Sequence, residues 1–104
     1  MFATIRRYEG VDVSRMNELT SKVNETLVPQ LRELPGFADY YLIDAGNGVV
    51  SSFGLFETRE QADESTKLVS KWIASENVER AIPNPPKITS GEVVAHSERL
   101  VAVA

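Results

Sequence analysis

Hydrophobic and polar side chains alternate from Phe2 to Tyr8, with β-branched and aromatic residues among them, and this period of two predicts a strand ending at Glu9-Gly10. The period then lengthens. Met16, Leu19, Val23, Leu27, Leu31 and Leu34 recur at steps of three and four, one continuous stripe on a helix whose start Asp12 or Ser14 can cap. Pro29 lies within the stripe. Its missing amide proton and its ring, which meets the carbonyl of Glu25, cost about 3 kcal/mol in a regular helix, so a kink is expected there. Pro35-Gly36 ends the helix, because the residue before proline is driven out of the α region and glycine permits the turn that follows.

Two strand-like runs come next, Phe37 to Asp44 and Val49 to Phe56, around Ala45-Gly46-Asn47-Gly48. Asn-Gly at such a junction is the strongest short hairpin signal, so the two runs should pair directly. Thr58 with Gln61 three residues on predicts a capping box, and Ala62, Val69, Trp72 and Ile73 supply the buried stripe of a second helix. Val78 and Ile82 leave that stripe, which predicts a break at Ser75 to Asn77 and a short extra turn before Pro83-Asn84-Pro85-Pro86. Ile88 to His96, around Gly91, reads as a fourth strand, and residues 97–104, with Leu100 to Val103, as a terminal arm or short extra strand. The order strand, helix, strand, strand, helix, strand over a single domain, 1–104, is that of an α+β ferredoxin-like βαββαβ fold, an antiparallel sheet with both helices on one face.

The faces of that sheet do not fit a monomer. With a two-residue turn at Asn47-Gly48, Ala38, Tyr40, Leu42, Phe53 and Leu55 share one face, and Phe37, Tyr41, Ile43, Val50 and Phe56 the other. A slip of one residue would exchange the sets and leave both faces apolar. Two helices cover one face only, so the remaining patch predicts a homodimer joined through its sheet faces.

Composition acts mainly by exclusion. At 104 residues, 42% hydrophobic and 25% charged, the chain can fold but buries a modest core, which a second copy would enlarge. A net charge of −4 and a pI near 5.0 argue against nucleic acid or an anionic membrane as partner, since both select a positive surface. No apolar run reaches the roughly 20 residues of a membrane span. Arg6 and Arg7 interrupt the start of the chain, so no secretory leader is read there. With no cysteine there is no disulfide, thiol nucleophile or cysteine-ligated zinc, which fits a cytoplasmic protein.

Candidate chemistry is sparse. His96, the single histidine, can serve as a base, a ligand or a hydrogen-bonded structural group, but without cysteine or an acidic pair at ligand spacing it supports no metal site. Trp72, on the inner stripe of the second helix, packs the core and can also wall a pocket between helix and sheet. Arg6 and Tyr8 point to one side of the first strand and Arg7 to the other, and strand-end arginines are more often solvated or paired than catalytic. Glu57, Glu60, Asp63 and Glu64 complement the positive end of the second helix. Ser51 and Ser52 lack a Gly-x-Ser-x-Gly setting, and no glycine-rich phosphate loop is present. No residue is assigned as catalytic.

Leu34-Pro35-Gly36-Phe37 leading into a tyrosine-rich strand, and Ser51-Ser52-Phe53-Gly54-Leu55-Phe56-Glu57 leading into a helix that bears Trp72, resemble the antibiotic-biosynthesis monooxygenase-like family. Pro85-Pro86 and Gly91-Glu92-Val93-Val94-Ala95-His96 look like an uncharacterised bacterial branch of it, and the resemblance spans about residues 2–96. It implies a dimeric α/β barrel with a small pocket between helices and sheet in each subunit. It also implies a cofactor-independent monooxygenase acting on a small aromatic or apolar substrate, for which His96 or a tyrosine could manage a proton; the competing reading of the same residues is a non-catalytic dimeric small-molecule-binding or stress-response module. Family members that use an Asn on the first strand and a Trp on the second helix are matched here only at Trp72, since the first strand offers Ala3, Thr4 and Arg6. The haem-binding branch carries a His about three turns after the Trp, where this chain has Arg80, Ala81 and Ile82, so no haem or other cofactor is expected. Asn77 is a polar group near Trp72 that the family does not share. The candidate pocket residues are therefore Trp72, Asn77, His96, Tyr41 and Arg6.

Overall fold

A computed structural model describes residues 1–97 of the chain. The expected order is observed: β1 (Phe2–Tyr8), a helical arm, β2 (Phe37–Gly46), β3 (Val49–Phe56), a long helix and β4 (Lys87–Glu92). The four strands form one antiparallel sheet in the order β2-β3-β1-β4, the ferredoxin-like arrangement. The arm and the long helix lie on one face of it. The terminal segment Leu100 to Val103 lies outside the described residues.

Pro29 shapes the helical arm. After a single tight turn at Val13–Arg15, where Asp12 accepts from the Ser14 amide at 3.0 Å, come α1 (Met16–Lys22), a wide π turn at Val23–Leu27, and α2 (Val28–Arg32). The expected kink thus takes the form of a π turn just before the proline. The Val28 amide reaches back five residues to the Val23 carbonyl, and Pro29 then occupies the first turn of α2, where no amide proton is needed. Leu19, Val23, Leu27 and Leu31 keep the buried stripe continuous across the junction.

The long helix, α3 (Arg59–Ser75), opens on the expected capping box. The Gln61 amide donates to Thr58 Oγ1 at 3.3 Å, and Gln61 Oε1 accepts from the Thr58 amide at 3.0 Å. The helix stops where the stripe breaks. Asn77 takes a left-handed conformation (φ 55°) and a short turn at Val78–Arg80 folds Val78, Ala81 and Ile82 into the core. Gly36, at φ 74°, turns the chain beneath the same cap, and any side chain there would overlap Gln61.

Two sequence expectations need correction. Asn47 and Gly48 do form the two-residue turn with both φ positive, but the faces differ from those of a regular ladder. β-Bulges at Ala45 and Ala38 shift the pairing, so that Tyr41 opposes Phe53 and Leu42 opposes Ser52. The helix-covered face therefore holds Tyr40, Leu42, Val50, Ser52 and Phe56, and the open face holds Tyr41, Ile43, Phe53 and Leu55. β4 is also shorter than the run Ile88 to His96. Glu92 pairs with Phe2, and after one more bond from the Val93 amide to the Met1 carbonyl (2.9 Å) the neighbouring strand has ended, leaving His96 beyond the sheet.

Candidate functional site

The interior between helices and sheet is more polar than the stripes imply. Thr4, Arg6, Ser52 and Ser65 are all buried there, together with Tyr8. β1 places Thr4, Arg6 and Tyr8 on the covered face by simple alternation, and β3 does the same for Ser52. Arg6, expected to be solvated or ion-paired, is instead 2% exposed. Its Nη2 donates to Ser65 Oγ (3.0 Å) and Thr66 Oγ1 (2.7 Å) on α3.

Trp72 is fixed across the same layer. Its indole Nε1 donates to Thr26 Oγ1 at 2.7 Å, and the Thr26 hydroxyl donates to the Lys22 carbonyl at 2.8 Å. The π turn is what brings Thr26 to the tryptophan. At 4% exposure, with its only polar atom paired, Trp72 is a wall and not a proton donor to a ligand.

Between the arm and the β2 edge the layers part, leaving a cleft of about 380 Å³. Met16, Val23, Val28, Leu42 and Val50 give it apolar walls, and Thr20, Asn24, Tyr40 and Asp44 are its polar groups. Inward it narrows to a residual space of about 20 Å³, room for about one water, among Tyr8, Tyr40, Ser52 and Trp72. Tyr40 lines both. Burial pushes its hydroxyl pKa up to about 12, reinforced by Tyr8 and opposed by the Arg6 charge and the Ser52 hydroxyl. Tyr8 is raised as well, by burial first, with Arg6 again opposing. Burial lowers the pKa of Arg6, and the two phenols act against that. At neutral pH the cleft thus ends in two protonated phenols near an arginine.

The candidates read from sequence separate. Trp72 and Arg6 reach this interior. Tyr41, 56% exposed, stands on the open face against Phe53, with ring centroids 6.2 Å apart. Asn77 closes the end of α3 at the surface, and His96 is exposed past β4. From sequence Tyr40 is only a sheet-face residue and Ser52 only a serine without a nucleophile setting, and the signal that points to them is the alternation of β3, Val50-Ser52-Gly54-Phe56, once the bulges are known. Among the described residues no group of three or more His, Cys, Asp or Glu side chains could hold a metal ion, and no helix is long and apolar enough to cross a membrane.

No family model and no curated relative matches the chain. Solved structures do. A monooxygenase of Streptomyces coelicolor from the gene ActVA-Orf6, in complex with nanaomycin D, superposes with a TM-score of 0.74 at 14% identity over 95% of this chain and 92% of that one. A putative antibiotic biosynthesis monooxygenase from Nitrosomonas europaea gives 0.70 at 15% identity, covering 91% and 100%. A dimeric ferredoxin-like protein from an uncultured marine organism gives 0.64 at 14% identity, covering 94% and 97%. The resemblance read in the sequence is borne out in the fold, which is that of the antibiotic-biosynthesis monooxygenase-like proteins.

Proposed function

We propose that this fold serves here as a cofactor-independent monooxygenase-like enzyme that takes a small, planar, electron-rich aromatic into the cleft between the helical arm and β2. The observation that carries the reading is the cleft itself. Its volume is in the range of small-molecule sites, and its walls are apolar with a few polar groups, Thr20, Asn24, Tyr40 and Asp44, among them. The similarity to a monooxygenase whose structure holds nanaomycin D supports the same reading.

Without a metal or flavin, the electrons must come from the substrate. An activated methylene next to a phenol or ketone loses a proton, and the resulting carbanion, delocalised onto the ring oxygen, transfers electrons to dioxygen. One oxygen atom bonds to the carbon, both hydrogens of the methylene leave, and the second oxygen atom departs with them as water, so a methylene becomes a carbonyl. Asp44 at the mouth is the proton acceptor. Tyr40, held protonated, donates to the developing oxyanion, and Val23, Leu42 and Val50 keep the ring flat and dry.

A homodimer through the open sheet face belongs to the same proposal, supported by the exposed Ile5, Tyr41 and Ile43 and by the dimeric ferredoxin-like neighbour. The second reading, a binding module without turnover, is favoured by one observation: the Trp72 indole is fully committed to Thr26. Oxygen uptake with anthrone separates the two. The enzyme reading expects one dioxygen consumed per carbonyl formed and a loss of about tenfold or more in rate for Tyr40→Phe. Saturable anthrone binding with no uptake above the uncatalysed rate would leave the binding module.

A further inference from the structure

Among the described residues Arg6 is the largest fully buried side chain, and no carboxylate pairs with it. Its two hydrogen-bond acceptors are neutral hydroxyls, and its buried Nε has no acceptor. An uncompensated buried guanidinium is a costly group to keep unless an anion is brought to it. Beside it, α3 and the sheet part at the β4 edge. The resulting pocket of about 150 Å³ is formed by Arg6 and Tyr8 of β1, Thr66, Val69 and Ile73 of α3, and Ile88 of β4. It lies at the opposite edge of the sheet from the cleft at β2.

We infer that this pocket is a binding site for a small organic monocarboxylate, opening at the other sheet edge from the cleft. The carboxylate sits against the Arg6 guanidinium and the Thr66 hydroxyl, and a compact hydrocarbon body packs on Val69, Ile73 and Ile88. Each property of the pocket selects for this class. A volume of about 150 Å³ suits a compact organic acid and not a cofactor or polycyclic ring. The fixed positive charge selects an anion, and the planar guanidinium favours a carboxylate. The apolar wall favours a hydrocarbon body over inorganic phosphate. The inference rests on Arg6 and its pocket and stands or falls independently of oxygenase activity.

Sodium benzoate and sodium isobutyrate, with benzamide and sodium phosphate as controls, test it on the full chain by calorimetric titration and thermal unfolding. Saturable binding of either acid is expected, with benzamide and phosphate at least tenfold weaker. Arg6→Met should lose at least tenfold in affinity while its ligand-free Tm equals or exceeds that of the parent, because the uncompensated charge is gone. Ile88→Trp, on a half-exposed edge position, fills the pocket and should weaken binding comparably without unfolding the chain. Equal binding of benzoate and benzamide, an equal response to phosphate, or no saturable response to either acid overturns the inference. So does parental benzoate affinity in Arg6→Met or, if that variant fails to fold, in Ile88→Trp.

Discussion

The two faces of the sheet differ less in polarity than those of a lone sheet with one wet side. Under the helices Thr4, Arg6 and Ser52 lie among Tyr8, Tyr40, Leu42, Val50 and Phe56, whereas the uncovered face shows Ile5 (40% exposed), Tyr41 and Ile43 (51%), with Phe53 and Leu55 half-buried beside them. An antiparallel sheet with one face in water normally buries its apolar set and wets its polar set. The mixture teaches that neither face is optimised for the stability of a single copy. The covered face keeps hydroxyls and a cation where hydrocarbon would pack at lower cost, and the open face keeps hydrocarbon where only a partner surface removes it from water.

The contrast can be broken from the open side first. Ile43→Asp places a carboxylate at the proposed dimer contact in both copies, and an unpaired charge buried there costs about 3 kcal/mol or more each time. Self-association should fall by about ten-thousandfold in equilibrium sedimentation, with the fold retained by circular dichroism. A variant that sediments like the parent would make the open face ordinary surface. On the covered side, Trp72→Ala should cost about 3–5 kcal/mol in urea unfolding, since it empties the wall between the arm and α3. Thr26→Val is the sharper probe. It removes the acceptor of the indole N–H together with the hydroxyl's own bond to the Lys22 carbonyl and should cost about 1–3 kcal/mol, so a neutral result would mean that the Trp72–Thr26 bond does not fasten the helix layer.

The smallest effect is set by pH. Tyr40 has its pKa raised from 10.0 to about 12 in the folded protein, so the protonated phenol is favoured by folding. Its contribution is complete below pH 10 and is lost as pH rises through the folded value, because the unfolded chain releases this proton first. The urea midpoint of the parent should therefore fall between pH 10 and 12 more steeply than that of Tyr40→Phe. Parallel curves would place the phenol in a water-like setting and remove it from the donors of the cleft.

Much of this was legible in the residues. Asn47-Gly48, the Thr58 and Gln61 cap, and the departure of Val78 from the α3 stripe are local signals, and each produced the element it announced. Pro29 announced a distortion but not its form, since a kink and a π turn satisfy the same missing bond. The division of side chains between faces was hidden because a bulge has no strong sequence signature. This is why Tyr41 drew attention in the sequence while Tyr40 points inward. The burial of Arg6 was hidden for another reason. Its partners, Ser65 and Thr66, read as the polar side of a helix more than 50 residues away in sequence, and only the packing of α3 on β1 brings them together.

β2 is ten residues long and β3, its partner, eight. The two supernumerary residues are both alanines, Ala38 and Ala45, and neither has a partner across the ladder. Viewed as a matter of chain length, the hairpin is an eight-residue pairing with two insertions, one near each end. Removing Ala45 would leave Asp44 opposite Val50 and every inner pair unchanged, whereas pairing Ala45 instead of looping it out would exchange Tyr40 and Leu42 for Tyr41 and Ile43 under the helices. This hairpin should therefore tolerate a one-residue deletion better than a one-residue shift.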